Sequence, residues 1–180
     1  GRGHQDLLSL CLEFGCKIMQ LSGVEHDKAK ALEKLTQSIE QGQALEKLKE
    51  IVTRQGGNPK VLEDYSLLPT SMYEQEIIAK EDGFVKSIDA VRLGITAAKI
   101  GAGRQTKDDI IDPAVGIWIY KKVGERISKG EAYAKVLAND KEQMSWASDE
   151  VSEAFIFNKE ETKRRKVIRA IVTKEQVDEI

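Results

Sequence analysis

The first candidate for chemistry in this chain is the sequence Gly-Ala-Gly-Arg at residues 101–104. Glycine lets backbone N–H groups approach an anion closely, so the segment could grip a phosphate. A dinucleotide-type loop, however, needs a strand before it and a helix opening at its end. Here a predicted helix precedes the loop, and the carboxylates of Asp108 and Asp109 follow it. We interpret the segment as a helix end and a turn, with Arg104 paired to Asp109 or Asp112.

Carboxylates are concentrated around this loop, at Asp89, Asp108, Asp109 and Asp112. They could bind a cation, but aspartate also accepts the backbone hydrogen bonds of turns and helix N-termini. We expect that second role here. His4 and His26 have no partners at metal-ligand spacing, so the sequence predicts no metal site.

A second glycine-containing segment is VGIWIYKKVGERISKGEAYAKV at residues 115–136. Strands separated by Lys-Lys-Val-Gly-Glu and Lys-Gly-Glu turns are typical of small barrel-sandwich domains such as lipoyl and biotinyl carriers. In lipoyl domains the carrier lysine lies ten residues beyond the glycine that matches Gly130, whereas Lys141 lies eleven beyond it and opens a predicted helix. The Met-Lys-Met of biotin domains is absent. We interpret Lys141 as a solvated helix residue and keep a non-catalytic carrier or binding module as the alternative.

Composition limits the class of protein. Apolar residues make up 41% of the chain, charged residues 32%, and the net charge is −2, which indicates a globular fold and gives no reason to expect nucleic acid or membrane as partner. The basic run at 163–166 follows two glutamates and is interpreted as a solvated connection.

Cys11 and Cys16 lie roughly 140° apart around a helix and cannot form a disulfide there. A reducing cytoplasm is therefore expected.

Hydrophobic periodicity divides the chain into a helical first third and a mixed remainder. Three helices are predicted before Gly57, the first largely buried and the second capped by Asp27. Beyond the connector at 58–72, the order is β-β-α-β-β-α-β, a mixed α/β or α+β layout. The predicted elements there are strands near 76–79, 84–88, 115–120, 132–138 and 167–172, a helix capped by Asp89 and a helix over 141–157.

Three segments together resemble a known family: GGNPKVLEDYSLLPTS, AKEDGFVKSIDAVRLGITAAKIGAGRQTKDDIIDPAVGI and KKVGERISKGE. They are similar to the C-terminal portion of pyrimidine-nucleoside phosphorylase and of its relative thymidine phosphorylase. The resemblance implies that residues 1–57 are helices of the central α/β domain and that 58–72 is a connector. It also implies that 73–180 is the C-terminal domain, an α/β hammerhead with a barrel-sandwich element.

The resemblance implies an activity as well. These enzymes cleave the N-glycosidic bond of a pyrimidine nucleoside with inorganic phosphate as co-substrate, and release the base and a pentose 1-phosphate. In the family, the phosphate-binding and base-binding segments and the dimer-forming helices lie upstream of the stretch that matches this chain. No residue here is therefore assigned a catalytic, substrate-binding or metal role, and no cofactor is expected in this chain.

The chain is accordingly expected to be an inactive fragment of a homodimeric, cytoplasmic enzyme, since it opens GRGHQDLL without an initiator methionine. Helix faces left without their sheet would then promote self-association. Related archaeal enzymes that act on nucleoside monophosphates remain an alternative, and the 101–104 region argues against the related phosphoribosyltransferases. The preference for uridine or thymidine stays open.

Overall fold

The structure is a computed structural model that describes residues 3–164 and 166–179. These residues form two compact units. The first holds the chain up to Leu67 together with the residues from Lys166 onward, and the second covers residues 68–165. Helices and strands are mixed along the chain, so the predicted α/β (α+β) class is confirmed. In the part of the chain that the structure describes, no helix is long and apolar enough to cross a membrane.

The first unit begins with three helices: α1 (Gln5–Leu21), α2 (Lys28–Glu40) and α3 (Gln43–Arg54). The α2 N-terminus is capped as predicted, because the Asp27 carboxylate accepts a 2.9 Å hydrogen bond from the Lys30 N–H. Gly23 follows α1 with a φ of 74°, a left-handed conformation that favours glycine at a helix end. Two short 3-10 turns follow, Pro59–Leu62 and Tyr65–Leu67, and a hairpin of β7 (Ala170–Val172) and β8 (Val177–Glu179) completes the unit.

The prediction that α1 is largely buried is wrong. Only Cys16 is buried on this helix, at the face that packs on α2. Contact there is close, since a Cβ added to Gly15 would lie 2.7 Å from the Leu35 side chain. The opposite face is a stripe of apolar residues at helical spacing, and it is exposed: Leu7 60%, Phe14 58%, Ile18 65% and Leu21 87%. Within this unit the amphipathic α2 covers one side of α1, so the other side meets solvent.

The second unit contains six strands and two helices: β1 (Tyr73–Ile78), β2 (Gly83–Ile88), α4 (Ala90–Ala97), β3 (Gly116–Ile119), β4 (Arg126–Ile127), β5 (Ala132–Ala138), α5 (Lys141–Ala154) and β6 (Phe155–Asn158). They form two antiparallel sheets, with strand orders β1-β5-β3 and β4-β2-β6. No closed barrel is seen among the described strands, so the hammerhead and barrel-sandwich details remain predictions.

The predicted helix over 141–157 is too long. It ends at Ala154, and Phe155 adopts the extended conformation (φ −101°, ψ 129°). Strand β6 then pairs with β2, placing Phe155 opposite Ile88 and Phe157 opposite Val85. The aromatic and β-branched run Phe-Ile-Phe fits a pleated surface better than a helix, and this overrides the helical pattern before it. The predicted final strand is also shorter than 167–172, since β7 covers only its last three residues.

Strand β5 lies at the centre of the main core. It pairs with β1 on one side and β3 on the other, and the alternate residues Ala134, Val136 and Ala138 are fully buried. Helix α5 contributes the other buried residues of this layer, which are Met144, Ala147, Val151 and Ala154. Arg92 joins α4 to α5, because its Nε lies 2.8 Å from a Glu150 carboxylate oxygen and its Nη2 contacts Glu153.

We expect Val136→Ala to lower the free energy of unfolding of this unit by about 2 kcal/mol, since two buried carbons are lost and a cavity is left. Val136 is 0% exposed. Both tryptophans of the chain, Trp118 and Trp146, lie in this unit, so urea unfolding followed by their fluorescence measures it directly. Val91→Ala, at a helix position that is 72% exposed, is the matched control and should be close to neutral. Equal effects of the two substitutions would contradict the core assignment.

We also expect the chain to self-associate through the exposed face of α1, since monomeric soluble proteins rarely expose a contiguous apolar patch of this kind. The pair Phe14→Glu and Ile18→Glu should shift the protein toward monomer in light scattering and reduce its binding of an apolar dye. Gln5→Glu with Ser9→Glu adds the same charge to the same helix away from the stripe, and should change neither. A wild-type chain that is already monomeric with low dye binding would contradict the expectation.

Candidate functional site

Two N–H groups of the loop after α4 are already bonded within the chain. After the π-helical turn Ala98–Ala102, the Asp109 carboxylate accepts hydrogen bonds from the N–H groups of Gln105 (2.8 Å) and Thr106 (2.9 Å) and from the Thr106 hydroxyl (2.6 Å). A phosphate would need N–H donors of this kind. Because a carboxylate of the chain already uses them, the structure supports the interpretation of 101–104 as a helix end and turn.

The same loop is closed by Asp112. Its N–H donates to the Gly101 carbonyl (2.9 Å), and its carboxylate accepts from the Ala114 N–H (2.9 Å) and the Asn139 side-chain amide (2.7 Å). The side-chain oxygen Oδ1 of Asn139 in turn accepts from the Met72 N–H at 2.7 Å. This chain of bonds ties the loop to the end of β5 and the start of β1.

Asp109 and Asp112 therefore serve as turn residues, as predicted, and Asp89 is the predicted helix cap, since it accepts a 2.9 Å bond from the Arg92 N–H at the start of α4. For Asp108 that role stays a prediction. The predicted pairing of Arg104 with Asp109 or Asp112 is wrong: no such ion pair occurs among the described residues. Both carboxylates are already engaged by amide donors. Across the described ranges, no group of three or more His, Cys, Asp or Glu side chains could hold a metal ion.

The two glycine turns before β5 share one construction. At each turn, the glutamate that follows the glycine accepts a hydrogen bond from an N–H three residues earlier: Glu125 from Lys122 (2.8 Å) and Glu131 from Ser128 (2.9 Å). The Glu131 carboxylate also pairs with the Lys121 ammonium at 2.6 Å, and these contacts lower its pKa, the lysine bond most strongly. Both turns are thus structural connections.

Lys141 occupies the first position of α5, after the helix cap Asp140, whose carboxylate accepts from the Gln143 N–H at 2.8 Å. Its ammonium lies 5.7 Å from the centre of the Tyr73 ring. The interpretation of Lys141 as a helix residue is confirmed, because it does not lie on an exposed hairpin turn. His4 accepts the Asp6 N–H at the start of α1, and Cys11 and Cys16 are both free thiols.

The second unit also has a concave feature that the sequence did not predict, an aromatic cavity of about 380 Å³. Its floor is Tyr133, Phe155 and Phe157, with ring centres 4.7 Å to 6.1 Å apart. Tyr133 is 3% exposed, and its hydroxyl lies 3.4 Å from the Ser152 hydroxyl. Burial raises the pKa of Tyr133. The floor was missed because two of its residues were assigned to a helix; the alternation of Phe155-Ile156-Phe157 was the available signal.

Comparison with known proteins defines the class. Residues 84–158 match the family model of the pyrimidine nucleoside phosphorylase C-terminal domain. This range begins in β2 and ends with β6, so it includes the loop after α4, both glycine turns and the central strand β5.

Curated relatives agree with this class. The chain is 40% identical to a pyrimidine-nucleoside phosphorylase of Bacillus subtilis (strain 168) over 139 residues, which is 77% of this chain and 32% of that enzyme. It is 38% identical to the enzymes of Staphylococcus epidermidis (strain RP62A), over 79% of the chain and 33% of the relative, and of Geobacillus stearothermophilus, over 77% and 32%. The chain thus spans about a third of the length of these relatives. It belongs to the pyrimidine-nucleoside phosphorylase family and corresponds to its C-terminal portion, which confirms the resemblance seen in the sequence.

The Asp109 turn yields a prediction about pH. Bonds from the Thr106 hydroxyl first, and then from the N–H groups of Thr106 and Gln105, lower the pKa of Asp109 from its ordinary 3.8. A lowered pKa stabilises the loop above about pH 3.8, and that contribution is lost as the pH falls through the folded-state pKa. The amide chemical shifts of Gln105 and Thr106 should therefore titrate below pH 3.8.

Asp109→Ala should abolish that titration and accelerate hydrogen exchange of both amides at neutral pH, because their acceptor is gone. Asp108→Ala removes a neighbouring carboxylate of the same loop and serves as the control. If both variants exchange at the wild-type rate, the turn described here does not hold the loop.

Proposed function

We propose that this chain is the C-terminal portion of a pyrimidine-nucleoside phosphorylase and that, alone, it does not catalyse phosphorolysis. The parent reaction would transfer the pentose of a pyrimidine nucleoside to inorganic phosphate, giving the free base and a pentose 1-phosphate. The observation that carries this proposal is the match of residues 84–158 to the C-terminal domain, together with 35–40% identity to relatives of that name.

The physical requirements of the reaction support the proposal that the chain alone does not catalyse phosphorolysis. Phosphate attacks the anomeric carbon while the base leaves, so the site must hold an anion beside a developing oxocarbenium ion and stabilise charge on the departing ring. That calls for a convergent set of lysine, arginine, serine and free N–H groups. In the loop after α4, the N–H groups of Gln105 and Thr106, which a phosphate would need, are bonded to Asp109. We accordingly assign no catalytic or substrate-binding residue to this chain.

The domain's role would then be structural. A rigid lobe built on β5 and α5 would help to close the parent site over nucleoside and phosphate, excluding water during the transfer. A cytoplasmic homodimer, joined through helices upstream of the matched portion, belongs to the same proposal. Residues 1–57 would be part of the central domain, 58–72 the connector and 73–180 the C-terminal domain.

The carrier-module alternative is not favoured. Its lysine would have to be Lys141, which lies in the first turn of α5, and the matched family is a phosphorylase rather than a lipoyl or biotinyl domain. Preference between uridine and thymidine, or for a nucleoside monophosphate, depends on residues upstream of the matched portion and is not part of the proposal.

The test has two arms, both read as phosphate-dependent release of uracil or thymine from uridine and thymidine. The chain alone should release no base above the background rate. A chimera in which this chain replaces the corresponding C-terminal third of the Bacillus subtilis relative should regain release, whereas that relative truncated without its C-terminal third should not.

A matched control separates folding from function. The chimera carrying Val91→Ala, an exposed change, should keep the activity of the parent chimera. Release of base by the chain alone would overturn the assignment of catalytic groups to the upstream region. A folded chimera that stays inactive, while the intact relative is active in the same assay, would overturn the proposed role of this chain in the parent enzyme.

A further inference from the structure

The aromatic cavity combines an apolar floor with hydroxyl groups. Three rings form the floor, Ile78 and Ala79 from the end of β1 form one wall, and Ser152 of α5 lies beside the Tyr133 hydroxyl. The Tyr133 ring is held by two others, being tilted against Phe155 at 4.7 Å and edge-on to Phe157 at 5.0 Å. A preformed cavity of about 380 Å³ with this lining suits a flat or branched apolar group of modest size.

Charged side chains surround the mouth of this cavity. Lys80, Glu81 and Asp82 follow β1, and Lys159 follows β6 on the other side. Of these four, Asp82 has one oxygen engaged, since it accepts the Lys129 N–H at 2.7 Å. Lys80, Glu81 and Lys159 make no ion pair among the described residues. Both signs of charge are therefore available to a ligand at the same opening.

A second cavity of about 460 Å³ adjoins the first and shares three of these residues, Glu81, Asp82 and Lys159. It adds Arg126 of β4, whose guanidinium also makes no ion pair within the described structure. The two cavities together form one groove that is apolar at one end and charged at the other. We name the set Lys80, Glu81, Asp82, Arg126 and Lys159 the charged rim.

We propose that this groove binds a free amino acid with an aromatic or large branched side chain. The side chain would occupy the aromatic cavity, the carboxylate would meet Lys159 and its cationic neighbours, and the ammonium would meet Glu81. A ligand with only a negative head group would leave Glu81 unpaired, and one with only a positive head group would leave the cations of the rim unpaired. A zwitterion satisfies both signs at once, which is why the rim favours it.

The experiment is a titration of the full chain with L-phenylalanine, followed by amide chemical shifts. Shift changes should group at residues 78–82, 133 and 152–159, with millimolar affinity. Phenylalaninamide, which lacks the carboxylate, and N-acetylphenylalanine, which lacks the ammonium, should each bind more weakly by about threefold, the size expected of a solvent-exposed ion pair.

Charge variants make the test specific. Lys159→Gln should weaken L-phenylalanine and N-acetylphenylalanine but leave phenylalaninamide unchanged, and Glu81→Gln should weaken L-phenylalanine and phenylalaninamide but leave N-acetylphenylalanine unchanged. Both side chains are exposed, so folding should be preserved. Lys86→Gln and Glu142→Gln are exposed controls outside the groove, and should have no effect on any probe. Ser152→Leu, which fills the aromatic cavity, should abolish binding of all three probes, with tryptophan fluorescence confirming the fold.

Several results would overturn the proposal. One is the absence of shifts at millimolar L-phenylalanine; another is shifts that map to the helices of residues 5–54 instead of the groove. Equal affinity for the three probes, unchanged by the charge variants, would also overturn it, because the rim would then play no part. None of these readouts depends on phosphorolysis, so ligand binding in the groove and the proposed function are tested by separate measurements.

Discussion

The packing of α5 on β5 is the constraint on which the rest of the second unit depends. Strand β5 is bonded on both sides, so its position fixes β1 and β3, and α5 covers its buried face with residues that are mostly small. Ala134 and Ala138 on the strand and Ala147 and Ala154 on the helix are essentially inaccessible to water. Small side chains allow close approach and leave little tolerance for larger ones. The end of α5 at Ala154 also places the two phenylalanines of β6 against Tyr133.

Aspartate carboxylates stabilise several helix ends and one loop, since they accept hydrogen bonds from backbone N–H groups. Asp27, Asp89 and Asp140 cap helices, and Asp109 closes the loop after α4. An anion from solution would compete with these groups for the same donors. This explains in physical terms why Gly-Ala-Gly-Arg, which looks like a phosphate loop in isolation, is a structural feature of the domain.

Local features of the sequence predicted local features of the structure well. The bounds of β5, the caps at Asp27 and Asp89, and the helix end near Gly101 depend on a few neighbouring residues, and the sequence alone was sufficient for them. The aromatic cavity could not be predicted in this way. Its wall at Ile78 and its floor at Tyr133 and Phe155 are far apart in the chain and meet only through strand pairing. The prediction that α1 is largely buried failed for a related reason. An apolar helix face predicts that a partner surface exists, but it does not identify the segment that supplies that surface.

The two units also differ in how many of their apolar side chains each unit buries, and this difference bears on the family assignment. The second unit has a continuous core that includes four buried residues of β5, as expected of a domain that forms around one core. The helices of the first unit bury little beyond Cys16 and Ala31, and they expose Phe14, Ile18 and Leu21. Helices with so small a buried surface gain little from folding by themselves. A structural role beside a larger body is consistent with that imbalance, and so is a chain that matches about a third of each relative. The unit that carries most of the family match is thus also the one that buries its own core.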